Sequence, residues 1–411
     1  MKDAELYTKI LGLSAPWHVS DVVLNMAGKS VTITIDLEPD AALHCPKCNK
    51  KSARYDSNAR TWRHLDTMQF ATLVKADVPR VECAEHGVLQ VAVPWAEARS
   101  RFTAMFESLV INWLLEASAS AVARNLNLSW DEVDGIRKRA VERGIARREI
   151  SELKNLCVDE TSYKRGHRYL TIITDEDTGV VLDVKEDRKK ESLSTFLESL
   201  TIEERSAIES VSMDMFPAYI GAVRDWIPEA DTKICFDRFH VAQYLSRAVD
   251  LVRRAEHKAL LKIGDDSLKK TRYDWLRDPS KMSRAAWLSF KELAKSTLKT
   301  ARAWHIKESA KHLWNYLTRT WAVKRWTAWY NYAIRSRLEP VKDAARTIKN
   351  NLWGIINAIV LCKTNAKAES INSKIQTIKS RARGFHSAER FRLSILFHCG
   401  GLDMFPTGCH F

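Results

Sequence analysis

The chain has 411 residues, of which 45% are hydrophobic and 28% are charged. This composition is typical of globular proteins, and the length is sufficient for several domains of roughly 100–200 residues each. A disordered chain, a collagen-like chain and a single mini-domain are excluded. With 65 Lys and Arg against 51 Asp and Glu, the net charge is +14, which favours a polyanionic partner such as nucleic acid.

The positive charge is concentrated in one region. Residues 246–365 contain 26 Lys and Arg and 10 Asp and Glu, a net charge of +16, so the rest of the chain sums to −2. A surface that contacts phosphates would concentrate charge in this way. A helical region with solvated Lys side chains would give the same pattern, and the charge alone does not distinguish the two.

Neither a membrane span nor a secretion signal is predicted. No run of 18 apolar residues occurs, and the first residues lack the basic and apolar segments of a signal peptide. Eight cysteines are too few for a disulfide scaffold in a chain of this length, and two of them form a Cys-x-x-Cys pair. We therefore expect a soluble cytoplasmic protein with reduced cysteines and a candidate metal site.

Residues 1–100 are predicted to form a small β-rich module. Runs such as 31–35 and 71–74 alternate like half-buried strands. Cys45-x-x-Cys48 is followed 35 residues after Cys48 by Cys83-x-x-His86. Two such pairs, each after a predicted strand, favour one structural Cys3His zinc ion with all four ligand positions filled by protein. Buried thiols without metal are the alternative.

Residues 101–150 are predicted to be helical. Ser129 and Glu132 have the spacing of a capping box at the start of the last helix, and Asn127 suits a left-handed turn before it. The pattern fits two structures equally well, a helix-turn-helix that reads DNA and a plain helical hairpin. In the first case, the cations available to DNA on the outer face would be Arg137, Lys138 and Arg139.

From 151 to 245, short apolar runs alternate with helical patterns, which predicts a mixed α/β sheet. The predicted strands are 156–158, 169–174, 180–184, 211–213 and 233–236. From 246 to 360 the strand signals stop and apolar residues recur at helical spacing, which predicts an all-helical insertion. Eight of the fourteen tryptophans lie between 275 and 353, and we expect most of them in the core of this insertion.

Two aspartates follow predicted strands of the sheet, Asp159 after 156–158 and Asp214 after 211–213. Acids in such positions are commonly caps of strand ends. Two of them on neighbouring strands can also converge on Mg²⁺, whose ligands are carboxylate, water and phosphate oxygens. Glu369, on a predicted helix with Asn372 one turn further along the same face, is the candidate third ligand. The basic residues that follow it are candidates for DNA contacts: Lys374, Lys379, Arg381 and Arg383.

Together these motifs resemble those of the ISL3-type insertion-sequence transposases, which are DDE enzymes with a ribonuclease-H-like core. The resemblance covers nearly the whole chain and is specific as a set. Besides the zinc pairs, it rests on Pro16-Trp17-His18-Val19, Val93-Pro94-Trp95-Ala96, Arg101-Phe102-Thr103, Val158-Asp159-Glu160, Ser212-Met213-Asp214-Met215, Asp237-Arg238-Phe239-His240, Thr364-Asn365-Ala366 before Glu369, Gly384-Phe385 and residues 397–402.

The resemblance implies that Asp159, Asp214 and Glu369 form a metal-binding triad with two catalytic Mg²⁺ ions. Two such ions about 4 Å apart would activate a water or a 3′ hydroxyl for attack on a phosphodiester. The resemblance also includes Asp237 and His240, to which we assign a supporting structural role. The chain departs from the family at His86, where we expect a Cys, but His remains a competent zinc ligand.

The implied fold is multidomain α/β. A zinc-binding β module at 1–100 and a helix-turn-helix domain at 101–150 precede a ribonuclease-H-like core. This core comprises 151–245 and 361–411 and is split by the basic helical insertion at 246–360. The 155 residues from Asp214 to Glu369 leave room for that insertion, for which we expect contacts with DNA phosphates.

The implied function is a DNA transposase. It would bind terminal inverted repeats through the zinc module and the helix-turn-helix, cut the DNA and join the 3′ hydroxyl to double-stranded target DNA. The resemblance further implies at least a homodimer in the active complex. It also implies a protein of the bacterial cytoplasm that associates with the nucleoid by binding DNA. A transposase-derived, non-catalytic DNA-binding regulator would have little reason to keep all three acids. A stand-alone nuclease would not explain two recognition modules.

Overall fold

The computed structural model describes residues 3–150, 152–164, 168–363 and 366–408. They form two compact units, and each is described by itself below. One unit contains the described residues of Met1–Arg148 and Leu402–Phe411, and the other those of Glu149–Gly401. Within the described residues, no helix combines the length and the apolar character that crossing a membrane requires.

The first unit contains a five-stranded sheet. Its elements are α1 (Asp3–Ile10), β1 (Trp17–Asn25), β2 (Ser30–Leu37), β3 (Ala53–Thr67), β4 (Phe70–Cys83) and β5 (Gly87–Gln90). The strand order is β1-β2-β4-β3 with β5 on β4, and only β2 and β4 pair in parallel. The runs predicted at 31–35 and 71–74 lie in β2 and β4. Buried Trp17, Trp62 and Trp95 meet edge to face in the core.

Helices α2 (Ala104–Glu116), α3 (Ala119–Asn125) and α4 (Trp130–Arg147) follow in the same unit. Each begins after a Ser or Thr whose side chain accepts a hydrogen bond from a backbone amide of the first turn. Ser129 and Glu132 form the predicted capping box. Asn127 has the predicted left-handed conformation, with φ at 51°. The local rules of helix capping therefore determine where α4 begins.

The segment that begins at Leu402 packs against α4. Arg147 donates to the Phe405 carbonyl at 2.6 Å and to the Asp403 carboxylate at 3.0 Å. Gly144 leaves the space that Leu402 occupies, because a Cβ at position 144 would lie 2.6 Å from the Leu402 Cβ. The inner side of this helix thus packs against the rest of its unit and also against the last described residues of the chain.

The second unit contains a mixed five-stranded sheet. Its strands are β6 (Asn155–Lys164), β7 (Arg168–Asp175), β8 (Val180–Glu186), β9 (Ser210–Met213) and β10 (Ile234–Phe236), in the order β10-β9-β6-β7-β8. β7 runs antiparallel to β6 and β8, whereas β6, β9 and β10 are parallel. Each predicted strand of this region overlaps one of them. The helices between the strands are α5 (Lys190–Ser199), α6 (Ile202–Ala207), α7 (Pro217–Trp226) and α8 (Ala230–Lys233).

A long helical region follows β10. It consists of α9 (Arg238–Leu261), α10 (Arg272–Leu276), α11 (Arg284–Ala294), α12 (Lys299–Lys311), α13 (Arg319–Ile334), α14 (Glu339–Asn350) and α15 (Leu352–Val360), and α16 (Ala366–Arg381) and α17 (Ala388–Cys399) come after it. Residues 246–360 contain no strand, as predicted, and every one of them is described. Trp275, Trp304, Trp326 and Trp329 are buried in its core, whereas Trp321 is 49% exposed.

The two glycines of α4 provide a matched test of its packing against Leu402. Gly144→Ala places a methyl group 2.6 Å from the Leu402 Cβ, so the packed segment must shift, and we expect α4 to lose about 1–3 kcal/mol of local stability. Gly135→Ala meets only Arg139 Nη1, at 3.7 Å, and should stabilise α4 by about 0.5–1 kcal/mol. Hydrogen exchange of α4 peptides should quicken in the first variant and slow in the second. Equal exchange in both variants would contradict this packing.

Candidate functional site

Four metal-ligand side chains converge in the β module. Cys45 and Cys48 lie between β2 and β3, Cys83 ends β4, and His86 lies in the turn before β5. The sulfurs of Cys48 and Cys83 are 3.7 Å apart, and His86 Nδ1 lies 3.6 Å from the Cys83 sulfur and 3.8 Å from the Cys45 sulfur. Such separations are those between donors around one tetrahedral ion with metal–ligand bonds of about 2.0–2.3 Å.

The donor set fits a structural zinc ion. A hydrogen bond from the Cys48 backbone amide lowers the pKa of the Cys45 thiol to about 6, which favours the thiolate that binds metal. Three thiolates and one imidazole fill all four positions and leave none for a water molecule. Among the described residues, this is the only group of three or more His, Cys, Asp or Glu with ligand atoms within 4.8 Å of one another.

The outer face of α4 differs from the sequence-based expectation. Arg137 is only 7% exposed and forms an ion pair with Asp134, so the prediction that it faces outward is wrong. It follows Val133 by four residues and therefore shares the inward stripe of Val133. Lys138 is exposed and lies 3.9 Å from Glu142.

Arg139 is held by a buried acid that the sequence did not reveal. The Glu107 side chain on α2 is 1% exposed; it pairs with Arg139, lies 3.2 Å from Arg143 Nη2 and accepts from Ser100 Oγ at 2.8 Å. A carboxylate that is removed from water needs such partners. Arg139 is therefore half-buried and paired with Glu107, and Lys138 alone of the three is exposed.

Parallel pairing brings three aspartates to the same level of the second sheet. Cys157 of β6 pairs with Ser212 of β9, and β10 pairs with β9 in the corresponding register. Continued by two residues, this register makes Asp159 of β6 level with Asp214 and Asp237, which directly follow the ends of β9 and β10. Adjacent strands lie about 4.8 Å apart in a sheet.

Side chains from two helices contact these aspartates. His240 of α9 lies between two of them, with Nδ1 3.7 Å from Asp214 Oδ1 and Nε2 3.9 Å from Asp237 Oδ2. Asp237 also caps α9 through its carboxylate. Asn372 of α16 donates to Asp159 Oδ2. The Asp-x-x-His element noted in the sequence is therefore in contact with Asp214.

Helix α16 lies against β6 along one stripe. Gln376 donates to Thr161 Oγ1 at 3.2 Å and Lys379 donates to the Ser162 carbonyl at 2.5 Å. Glu369 precedes Asn372 by three residues, which puts it on the same stripe. Its side chain is exposed.

Of the three acids predicted to share metal, Asp159 on β6 and Asp214 directly after β9 are level in the parallel register. Glu369 lies one helical turn from the residue that contacts Asp159. In the described chain these three do not form a group with all ligand atoms within 4.8 Å. Lys374, Arg381 and Arg383 are exposed beyond them, while the ammonium of Lys379 is bound to a carbonyl. Thr364 and Asn365, which contributed to the resemblance, lie outside the described residues.

Arg188, which follows β8, is a further residue beside the acids that was not predicted from the sequence. Its guanidinium pairs with Glu160 and, at 3.2 Å, with Asp214, and its Cζ lies 4.0 Å from the ring centroid of Phe216. Burial raises the pKa of Glu160, beside which Arg188 supplies the opposite charge. No motif marks Arg188, which is 26 residues from Asp214 in the sequence.

The Cys/His cluster predicts one bound zinc per chain, measurable by elemental analysis of the purified protein. Cys83→Ser removes a thiolate ligand and should lose zinc to a chelator that leaves the wild-type ion bound. His86→Cys should retain zinc, because it supplies a thiolate at the same position. Cys362→Ser is the matched control, since Cys362 is exposed and outside the cluster. Full zinc retention by Cys83→Ser under the chelator would contradict the assignment.

Three family models match the chain in the order of its elements. Residues 42–86 match the zinc-finger of transposase IS204/IS1001/IS1096/IS1165, and residues 91–141 match the helix-turn-helix domain of transposase family ISL3. Residues 156–395, more than half of the chain, match the DDE transposase model of the ISL3 family.

Two relatives are similar over most of the chain. The transposase for insertion sequence element IS1557 of Mycobacterium tuberculosis (strain ATCC 25618 / H37Rv) is 28% identical over 423 residues, which cover 95% of this chain and 94% of the relative. The transposase for insertion sequence element IS1001 of Bordetella parapertussis is 26% identical over 370 residues, which cover 89% and 91%. The predicted zinc-binding β module, helix-turn-helix region and α/β catalytic domain with its helical part are thus confirmed. This chain belongs to the ISL3 family of insertion-sequence transposases.

Proposed function

We propose that this transposase binds the terminal inverted repeats of its insertion sequence and catalyses Mg²⁺-dependent cleavage and strand transfer through Asp159, Asp214 and Glu369. The observation that carries the proposal is the parallel register of β6 and β9, in which Asp159 and Asp214 are level. The stripe of α16 that contacts β6 also contains Glu369, one helical turn from the Asn372 that donates to Asp159, which supports Glu369 as the third acid. The named relatives are transposases for insertion sequence elements, which supports the same reaction class.

Carboxylates suit Mg²⁺ at this site. They are hard oxygen ligands, and three of them leave coordination positions for water and phosphate oxygens. Two bound ions would activate the attacking oxygen and stabilise the leaving oxygen of a phosphodiester. The chain itself holds the carboxylates in place, since the Glu160 amide donates to Asp159 Oδ1 at 2.7 Å and the Met215 amide to Asp214 Oδ1 at 2.6 Å.

The proposed reaction has two in-line steps at one site. Water attacks the phosphodiester at the end of the element, one P–O bond forms as another breaks, and a 3′ hydroxyl leaves. That hydroxyl then attacks a phosphodiester of the target DNA, again with one bond formed and one broken. No covalent bond to the protein is needed in either step.

Asp237 and His240 act as positioning residues in this proposal. His240 contacts both Asp214 and Asp237, so its ring limits the orientation of the Asp214 carboxylate. Arg188 restrains the other oxygen of Asp214 and adds positive charge beside the acids. Partners that orient a ligand in this way commonly affect metal affinity without touching the metal.

The zinc module and the helix-turn-helix are the proposed readers of the inverted repeats. Lys138, Lys374, Arg381 and Arg383 are the candidates for phosphate contacts because their side chains are exposed. Arg137, Arg139 and Lys379 are withdrawn from that set because protein groups hold them. The basic helical insertion is proposed to lie along transposon-end or target DNA.

A homodimer is the proposed active assembly, since two ends of the element must be cut and joined. The proposed setting is the bacterial cytoplasm, with the protein bound to the nucleoid through its DNA.

An assay with a labelled inverted-repeat substrate, with and without Mg²⁺, separates the proposed transposase from the two alternative functions. A regulator would bind without cutting, a nuclease would cut without joining, and a transposase would do both.

Neutralising one acid at a time tests the triad. Asp159→Asn, Asp214→Asn and Glu369→Gln should each lower Mg²⁺-dependent cleavage by at least about 1,000-fold, because each removes a charged ligand from the reacting centre. End binding measured by gel shift should change little. Asp225→Asn is the matched control, as Asp225 is exposed on α7 and pairs with Lys190. A variant that cleaves at the wild-type rate would remove that residue from the site.

Replacing His240 tests its positioning role. His240→Ala should lower the cleavage rate at saturating DNA about 10- to 100-fold and raise the Mg²⁺ concentration for half-maximal rate. DNA affinity should stay unchanged, and His240→Asn should restore part of the rate by keeping a side-chain hydrogen-bond donor. A rate loss with no change in Mg²⁺ dependence and no rescue by Asn would contradict the role.

A further inference from the structure

One stretch of the helical insertion is basic without any acid. Between Glu308 and Glu339 the chain contains six Lys and Arg and no Asp or Glu. Helix α13 lies in the middle of this stretch. No carboxylate within this stretch is therefore available to neutralise the positive charge of α13.

The outer face of α13 combines cations with exposed aromatic rings. Four residues at spacings of four, seven and three lie on one stripe of the helix: Trp321, Arg325, Tyr332 and Arg335. The last of them, Arg335, directly follows the end of α13. Trp321 is 49% exposed and Tyr332 is 54% exposed. Two cations of the next turn reach the Trp321 ring, with Lys324 Nζ 5.0 Å and Arg325 Cζ 5.7 Å from its centroid.

The opposite face of α13 accounts for the stability of the helix. Ala322, Trp326, Trp329 and Ala333 are buried, and Trp329 Nε1 donates to the Ile306 carbonyl at 3.0 Å. The exposed rings are therefore not required for its packing. Large aromatic side chains left in water next to unpaired cations are characteristic of a binding surface.

On the neighbouring helix α14, by comparison, two cations pair with acids of the same helix. Lys342 pairs with Glu339, and Arg346 pairs with Asp343 at 2.7 Å, both within one turn. By contrast, no carboxylate of the described chain lies within ion-pair distance of Lys324, Arg325 or Arg335. The cations of α13 are thus open to an external anion.

We infer that the outer face of α13 binds DNA at unpaired bases. Trp321 and Tyr332, about 16 Å apart along the helix, stack on bases, and Lys324, Arg325 and Arg335 contact the phosphates. Base faces in a duplex are covered by their neighbours, so stacking rings need bases that are unpaired or displaced. The inference rests on the proposal that the chain acts on DNA, but it does not depend on the three catalytic acids.

Binding of the full-length protein to oligonucleotides tests the inference. The probes are a labelled single strand of mixed sequence and a duplex of the same length. Trp321→Ala combined with Tyr332→Ala should weaken single-strand binding by about 10-fold or more and duplex binding far less, because each stacked base contributes substantially to affinity. Trp321→Phe should restore part of it. Tyr273→Ala is the aromatic control, an exposed ring on α10 outside the stripe.

The salt dependence tests the phosphate contacts. Lys324→Ala with Arg325→Ala removes two such contacts and should reduce the slope of log affinity against log salt by about 1.4 for the single strand. Lys342→Ala with Arg346→Ala removes the same charge from paired positions on α14 and should leave the slope nearly unchanged. All variants should also be checked for mass in solution by light scattering.

Three results would overturn the inference. Unchanged single-strand binding by the aromatic variant would exclude stacking, and an equal loss on both probes would indicate a duplex surface. A change from dimer to monomer with DNA affinity retained would make the stripe a contact with a second copy. Absence of cleavage by the wild type would reject the proposed reaction, yet it would leave the stacking surface supported if the binding results stand.

Discussion

The parallel pairing of β6, β9 and β10 is the constraint on which the catalytic account depends. One shared register makes Asp159, Asp214 and Asp237 level, although 55 and then 23 residues separate them in the sequence. Carboxylates this close repel one another unless positive charge lies nearby. Arg188 supplies such charge to Asp214, and the proposed Mg²⁺ ions would add to it. Helix α16, which carries the third proposed ligand, contacts Asp159 of β6 through Asn372.

The chain carries two chemically different sets of candidate metal ligands. Soft thiolates and an imidazole at Cys45, Cys48, Cys83 and His86 close a tetrahedral site, which joins two turns of a small β module. In the proposed catalytic site, the hard carboxylates beside the second sheet would leave positions for water and phosphate, as a reacting site requires. The side chain of Glu369 is exposed, as expected for a ligand of a site that DNA or metal completes.

Local patterns predicted the parts of the structure that local physics determines. Strand runs, the capping box at Ser129 and the spacing of the zinc ligands depend on residues that are close in sequence or have few alternatives. The outward position of Arg137 was mispredicted although its spacing of four from Val133 indicated the inward stripe. Glu107 and Arg188 could not be found in this way, because their roles arise from tertiary partners far away in the chain. The exposure of Trp321 likewise depends on which face of α13 the insertion buries.

The most direct test of the central claim is a crystal structure of the transposase with a cleaved inverted-repeat end and Mn²⁺, located by its anomalous scattering. The account predicts Mn²⁺ bound by carboxylate oxygens of Asp159, Asp214 and Glu369 at about 2.2 Å, next to the terminal 3′ hydroxyl. Mn²⁺ bound at other residues, with Glu369 still directed to solvent while DNA occupies the site, would contradict it.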